Sequence, residues 1–332
     1  REKMRPTLKD VCREALVSEA TVSRVVNNSP LVHERTRERV QEVIRRLGYT
    51  PNAAARNLSR SKTDVIGVVF HQVTSGFFAQ VLDGVDREAV AHGYHLLCAL
   101  TRDDMEAGKT CLGMFDEMRV DGMLILDPAL GQELLEQFKT YRRPIALIQQ
   151  HADDATINSV GVENEQGAYE AMKHLLGLGY KDFLVVRGPA GAQDSQLRVK
   201  GCNRALREAG AGAKCRFVEG NYSPADALAA FQQDRAQHGL PRAIFALNDA
   251  MALSILKELQ ATGVRVPEQT AIMGFDGIEC ADYVGLSTVE TPMCLMGEEA
   301  VRLSVRHVGD PKLPAEHVTL KTCLAVRKTC GG

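Results

Sequence analysis

Between Thr7 and Asn27 the sequence TLKDVCREALVSEATVSRVVN carries hydroxyls, a carboxylate and an arginine at spacings that suit a polyanion. Ser18, Glu19 and Ala20 stand at the tip of a prospective helix. Thr21 and Ser23 can donate to phosphate oxygens, and Arg24, one turn on, can reach guanine O6 and N7. Thr7 and Asn27 bracket this set as further polar contacts. Ala20 offers only a methyl, suited to a thymine methyl. Glu19 can accept from cytosine N4 or complement the positive end of its helix, and the residue types leave both readings open. Catalytic signals are lacking. The nine cysteines form no Cys-x-x-Cys, and Gly93 breaks the helix that would bring His92 and His95 onto one face. Gly188-Pro189-Ala190-Gly191 is neither a dinucleotide fingerprint nor a P-loop, and no nucleophile elbow stands out. The sequence therefore predicts no enzyme, no metal and no cofactor.

Those polar residues need helices to hold them. Thr7-Leu8-Lys9-Asp10 has the form of a capping box, with Leu8, Val11 and Ala15 following at helical spacing. Val17-Ser18 restarts a helix whose inner stripe is Val22, Val25 and Val26, and Asn27-Asn28-Ser29-Pro30 ends it. One helix, a tight turn and a second helix make a helix-turn-helix, which can place the start of its second helix in a major groove. A third helix over Glu34–Leu47 buries Val40, Val43, Ile44 and Leu47, with Gly48 as its C′ residue. Asn52–Leu58 reads as a helix of two turns, too short to persist alone, followed by a polar linker at Ser59–Thr63.

Charge divides the chain in the same place. Residues 1–62 hold fourteen Lys and Arg against seven Asp and Glu, a balance of +7 within a total of −2, so the rest carries −9. A basic head on an acidic body predicts that the head alone meets a polyanion. The 332 residues, 45% hydrophobic and 25% charged, exclude a disordered or collagen-like chain. No apolar run approaches the roughly 20 residues that cross a bilayer, and the opening REKMRPTLKD lacks a signal-peptide core. A cytoplasmic protein without membrane contact is expected.

From residue 64 onward short apolar runs alternate with helical patterns: Val65–Phe70, then Phe78–His92; His95–Leu100, then Ala107–Arg119; Gly122–Leu126, then Leu134–Tyr141 and Ile145–Ile148. The second half repeats the rhythm through Gln166–Leu178, Asp182–Val186, Leu197–Ala209, Cys215–Val218, Ala225–His238, Ala243–Ala246, Met251–Thr262 and Thr270–Met273. Such alternation predicts parallel sheets wound by right-handed crossovers, and the length predicts two of them.

The head, from TLKDVCREALVSEATVSRVVN through TRERVQEVIRRLGYTPN to the Ala-rich segment ending in Arg56-Asn57-Leu58, resembles the DNA-binding head of the lac/gal repressor family of bacterial transcription regulators. The resemblance continues through VDGMLIL, LGLGY, FALNDAMAL, IMGFDG and LSTVETP, and so covers nearly the whole chain. One departure stands in the helix-turn-helix turn, where Leu16 replaces the family's usual Gly or Asn. If that position needs a positive φ, Leu16 adds about 1–2 kcal/mol of strain, unless the turn is rebuilt or Leu16 packs inward.

The resemblance implies a small all-α helix-turn-helix head (1–50), a hinge helix and linker (51–63), and an α/β body (64–332). The body would be two doubly wound parallel-sheet subdomains of the periplasmic-binding-protein type, about 64–163 with 292–319 and 164–291 with 320–332. It implies a homodimer on pseudo-palindromic operator DNA, with Asn52, Ala55 and Leu58 in the minor groove and Leu58 as a wedge. An ordinary surface helix is the other reading of that segment. The resemblance also implies a small-molecule effector between the subdomains, a sugar or sugar derivative, contacted by Phe78, Asp194, Arg198, Tyr222, Asn248 and Asp276. Aromatic faces stack on sugar C–H surfaces, and Arg, Asn and Asp bond hydroxyls in fork-like pairs. Phe78 and Tyr222 could instead be core aromatics. A periplasmic-type sugar receptor is the rival function, and it leaves the basic head without a role.

Overall fold

The computed structural model describes residues 6–50, 62–71, 76–102, 105–118, 120–126, 143–150, 157–210 and 212–331. The segment with Asn52, Ala55 and Leu58, and the helix expected at Leu134–Tyr141, lie outside the described residues. The chain divides into two compact units, residues 1–63 and 64–332.

The first unit is three helices, α1 (Leu8–Ala15), α2 (Glu19–Val26) and α3 (Glu34–Leu47). The capping box forms: the Asp10 amide donates to Thr7 Oγ1, and the Thr7 amide donates to Asp10 Oδ2 at 2.9 Å. Ser18 caps α2 by accepting from the Thr21 amide at 3.2 Å. Val11, Ala15, Val22, Val25, Val40 and Val43 close a core of their own, with Ile44 and Leu47 packed at its edge. Leu16 takes the left-handed conformation at φ 52° and stands 83% exposed. The turn is thus neither rebuilt nor filled by Leu16; the leucine accepts the strained backbone and points to solvent.

The second unit carries two six-stranded sheets. The first contains β1 (Val65–Phe70), β2 (His95–Leu100), β3 (Gly122–Leu126), β4 (Ile145–Ile148), β5 (Asn158–Val162) and β11 (His317–Leu320), in the order β11-β5-β4-β3-β1-β2. The second contains β6 (Asp182–Arg187), β7 (Lys214–Glu219), β8 (Ala243–Ala246), β9 (Ala271–Asp276), β10 (Ser287–Glu290) and β12 (Cys323–Ala325), in the order β12-β10-β9-β8-β6-β7. Pairing is parallel apart from β10 with β12, where Val289 faces Leu324. Central strands such as VIGVVF and AIMGFD read as unbroken apolar runs because helices cover both faces of a parallel sheet. The edge strand β2 is half-exposed along its length.

Helices α4 (Gly76–Ala91) and α5 (Met105–Met118) wrap the first sheet. The second carries α6 (Asn164–Gly177), α7 (Gln193–Ala209), α8 (Pro224–His238), α9 (Asp249–Ala261) and the short α10 (Glu279–Val284). The chain then returns through α11 (Met293–Gly309) to the first sheet and ends in the second. It therefore passes between the subdomains three times: after β5, after β10 and after β11. The first and third departures lie side by side, since Val162 and Leu320 are paired. The second leaves Glu290, whose partner Cys323 is where the third arrives.

Helices α4 and α11 meet with almost no space between them. A Cβ on Gly84 would stand 1.9 Å from the Cys294 carbonyl, and one on Gly297 2.3 Å from that of Val81. Arg302 fastens the pair by donating to both Glu88 oxygens at 2.9 Å. Gly84→Ala should therefore force the helices apart and lower stability by about 1–3 kcal/mol. A lower urea midpoint at unchanged slope would register it; an unchanged midpoint would show that the helices separate freely.

Candidate functional site

In the head, α2 turns Glu19, Ala20, Ser23 and Arg24 outward on one exposed face, with Thr21 and Asn27 half-buried beside it. Arg13, Arg45 and Arg46 are held in ion pairs with Asp10, Glu42 and Glu14. Arg24 forms no ion pair among the described residues, so its guanidinium is available to another molecule. Several of the expected contacts carry local duties. Thr7 and Ser18 cap helices, and the Asn27 side-chain amide lies 3.4 Å from the Ser23 hydroxyl.

In the body, the carboxyl ends of β6, β7, β8 and β9 bring four expected residues into one cluster. Arg198, from α7, is 1% exposed. Its Nε donates to Asn164 Oδ1 at 2.8 Å, and its Nη1 donates to the Leu247 carbonyl and lies 3.2 Å from Asp276 Oδ1. Its Nη2 faces Asp194 Oδ2 at 3.9 Å. The guanidinium lies over the Phe275 ring at 3.8 Å, with the Tyr222 ring 5.8 Å away. Tyr222 donates its hydroxyl to Asp194 Oδ2 at 2.9 Å. That ring occupies the space a side chain on Gly188 would need, because a Cβ there would stand 2.3 Å from it.

Asp249, beside Asn248, fastens the loop that carries Asp276. Its Oδ2 accepts from the Gly277 amide at 2.7 Å and the Ile278 amide at 2.9 Å, and its Oδ1 accepts from the Thr288 hydroxyl at 2.6 Å. The carboxylate fits because residue 274 is glycine; a Cβ there would meet it at 2.1 Å. Asn248 caps α9 by accepting from the Met251 amide at 2.9 Å, next to the cluster but without a bond to it. Phe78 sits in the other subdomain, edge-on to Phe70 and Phe77. The subdomains do touch there, because a Cβ on Gly76 would lie 3.4 Å from Ile278.

Backbone strain gathers at these strand ends. Asp276 has φ 112°, Tyr222 55° and Gln149, just past β4, 68°. Left-handed non-glycine residues of this kind persist where surrounding packing over-determines them, which happens most often at ligand sites. Gln149 Oε1 is buried with no partner among the described residues. Asn164, Asp249 and Phe275 are the cluster residues that sequence reasoning misses. Asp249 and Phe275 do stand inside the quoted motifs FALNDAMAL and IMGFDG.

Burial pushes Asp276 up from 3.8 to about 8, against Arg198 and helped by Asp249 and Asp194. Asp249 is pushed up to about 7, again chiefly by burial, with the Thr288, Ile278 and Gly277 hydrogen bonds opposing. The unfolded chain returns both to ordinary values, so between about pH 4 and 8 the folded state binds more protons. Stability then falls as pH rises through that window. Asp276→Asn should flatten this slope and gain on the parent chain from about pH 5 to pH 8. Unfolding midpoints across that range check it, and parallel curves would refute it.

Three comparisons with known proteins bear on these two sites. The family described as bacterial regulatory proteins, lacI family, matches residues 7–52, and the one described as a periplasmic binding protein-like domain matches residues 172–330. The HTH-type transcriptional repressor PurR of Vibrio cholerae is 34% identical over 313 residues, 92% of each chain. That of Aliivibrio salmonicida is 33% identical over 308 residues, again 92% of each. Among solved structures, the lac repressor dimer bound to operator and the anti-inducer ONPF is 26% identical at a TM-score of 0.86, covering 98% of this chain and 99% of that one. The transcriptional regulator CelR–cellobiose complex is 28% identical at a TM-score of 0.72, covering 98% and 100%.

Proposed function

The chain belongs to the lacI family of bacterial regulatory proteins and is a DNA-binding transcriptional repressor, and from that premise we propose that a small polar effector, a sugar or sugar derivative, governs its hold on operator DNA. The observation that carries the proposal is the Arg198 hub, with Asp194, Asp276 and Tyr222 gathered at the carboxyl ends of one sheet. Ligands of open α/β sheets bind at that end. The lac repressor bound to ONPG in the repressed state, 25% identical, and the CelR–cellobiose complex support a sugar. A receptor without a DNA role leaves the helix-turn-helix unexplained.

The operator would be a pseudo-palindrome read by two heads, because a twofold protein needs half-sites related by the same axis. Thr7, Ser18, Thr21, Ser23 and Asn27 would set the backbone register, and Glu19, Ala20 and Arg24 would face base edges. Residues 51–63 would transmit the effector state, with Asn52, Ala55 and Leu58 in the minor groove. Phe78 and Asn248 would complete the effector contacts. The test is fluorescence anisotropy with a palindromic operator from the chain's own promoter region, titrated with cellobiose, ribose and glucose. A change in operator affinity with one sugar supports the reading, and indifference to every sugar that binds the protein would sink it.

Arg24→Ala should weaken operator binding by about 1–3 kcal/mol if Arg24 reads a base. Random duplex should lose far less. Equal losses on both would make Arg24 a phosphate contact only.

A further inference from the structure

The effector site has a definite balance of donors, acceptors and charge, and that balance selects among effectors. Resting on the effector reading above, we infer that the cleft takes an uncharged, hydroxyl-rich effector and rejects one bearing a phosphate or carboxylate group.

Most of the guanidinium's donors are already engaged. Nε is held by Asn164, and Nη1 by the Leu247 carbonyl and Asp276. Among the described residues only Nη2 keeps free N–H groups, since 3.9 Å from Asp194 is too long for a hydrogen bond. The group lies over the Phe275 ring at 3.8 Å, with the Tyr222 ring 5.8 Å away. A bidentate clamp on an incoming anion, the usual use of arginine, is therefore not on offer.

The acceptors outnumber those donors. Asp194 uses Oδ1 on the Ser195 amide and Oδ2 on the Tyr222 hydroxyl. Asp276 meets Arg198 through Oδ1, and its Oδ2 has no bond among the described residues. A hydroxyl donating to Asp276 Oδ2 while a neighbouring hydroxyl accepts from Arg198 Nη2 satisfies both groups, and adjacent hydroxyls of a polyol present that pattern.

Charge points the same way. One guanidinium faces Asp194, Asp276 and Asp249, and no other cation contacts these carboxylates among the described residues. Arg187, at the end of β6, has its charge paired with Glu219 at 2.8 Å, although its Nε has no partner among the described residues. With all three carboxylates ionised the cluster is negative. With Asp276 and Asp249 both protonated, Asp194 still cancels Arg198. In neither state does this cluster, among the described residues, offer net positive charge to an anion, and burial makes an uncompensated anion there costly.

The test uses the full chain and two probes. In the first arm, glucose is set against glucose 6-phosphate and ribose against ribose 5-phosphate by calorimetry at constant ionic strength. The phosphorylated member should bind on the order of a hundredfold more weakly wherever the neutral one binds; equal or tighter binding overturns the inference. In the second arm, about 10 mM inorganic phosphate replaces chloride in thermal unfolding. Lys214→Ala is the background, because Lys181, Lys214 and Arg242 line a separate hollow of about 440 Å³ at the other end of the strands. Phosphate should not raise the midpoint of that background, but should raise it once Asp194→Asn and Asp276→Asn are added. Asp194→Asn alone serves if the combined variant does not fold. Stabilisation by phosphate in the background that Arg198→Met abolishes would overturn the inference, as would no gain on neutralising the aspartates. Failure of every neutral sugar, with the phosphate result intact, counts against the effector reading alone.

Discussion

Arg198→Met should lower the stability of residues 64–332 by about 3–5 kcal/mol and erase the effector response, although methionine nearly fills the same volume. The size follows from what is left behind when one partner of a buried ionic cluster is removed. Asp194 and Asp276 lose their counter-charge, while Asn164 Oδ1 and the Leu247 carbonyl lose their donor. Against a typical total of about 5–15 kcal/mol, that is a large share. Part of the loss is avoided when Asp276 takes up a proton, so the variant should suffer more at about pH 8 than at pH 5. Adding Asp276→Asn to Arg198→Met should restore part of the stability without restoring the response. Urea unfolding of the four chains closes the double-mutant cycle, and strictly additive losses would show that the two side chains do not act as a unit.

Operator affinity should fall on the order of a hundredfold or more when Val90→Lys and Leu100→Lys are combined. Val90, on α4, is 63% exposed, and Leu100, at the end of β2, is 38% exposed. Strand β2 is the open edge of its sheet and carries HLLCAL, an apolar sequence of the kind that monomeric proteins guard with charge. If two chains pair across this helix and edge, four lysines brought together oppose the dimer. A single head retains too few contacts for specific binding. Sedimentation should show a monomer where the parent chain is a dimer, with each body still binding effector. Retention of both dimer and operator affinity would move the interface elsewhere.

The fold was legible where burial alone dictates the pattern. Parallel strands covered on both faces, such as β1 and β9, must be apolar throughout, and they announce themselves at any register. Strands β5 and β10 escape notice because Asn158, Ser159, Ser287 and Thr288 are buried by tertiary neighbours, not by local pattern, and β11 and β12 because they are short and half-exposed. The six residues of α10 are too few to show periodicity. The site divides similarly. Asp276 stands in the motif IMGFDG at the end of β9, and Arg198 in the helix after β6, whereas Asn164 serves the site only because α6 is packed against α7. At Leu16 the sequence leaves the turn open, and the folded head settles on an exposed leucine in a left-handed conformation, unfavourable on both counts.

The three passages between the subdomains also bear on how such a repressor can evolve. Lying beside one another, they would let the halves open about one line and resist twist and slide, as a strap hinge does. A nick in one passage would leave two intact. Because β12, from the chain's last residues, completes the second sheet, neither half is a continuous stretch of sequence. No single recombination junction can exchange one sensing half for another, so a new effector specificity must arise by point changes at the strand ends or by coordinated multi-junction shuffling. The head is different: it precedes all three passages, and one crossover near residue 63 could give the same sensor a new operator.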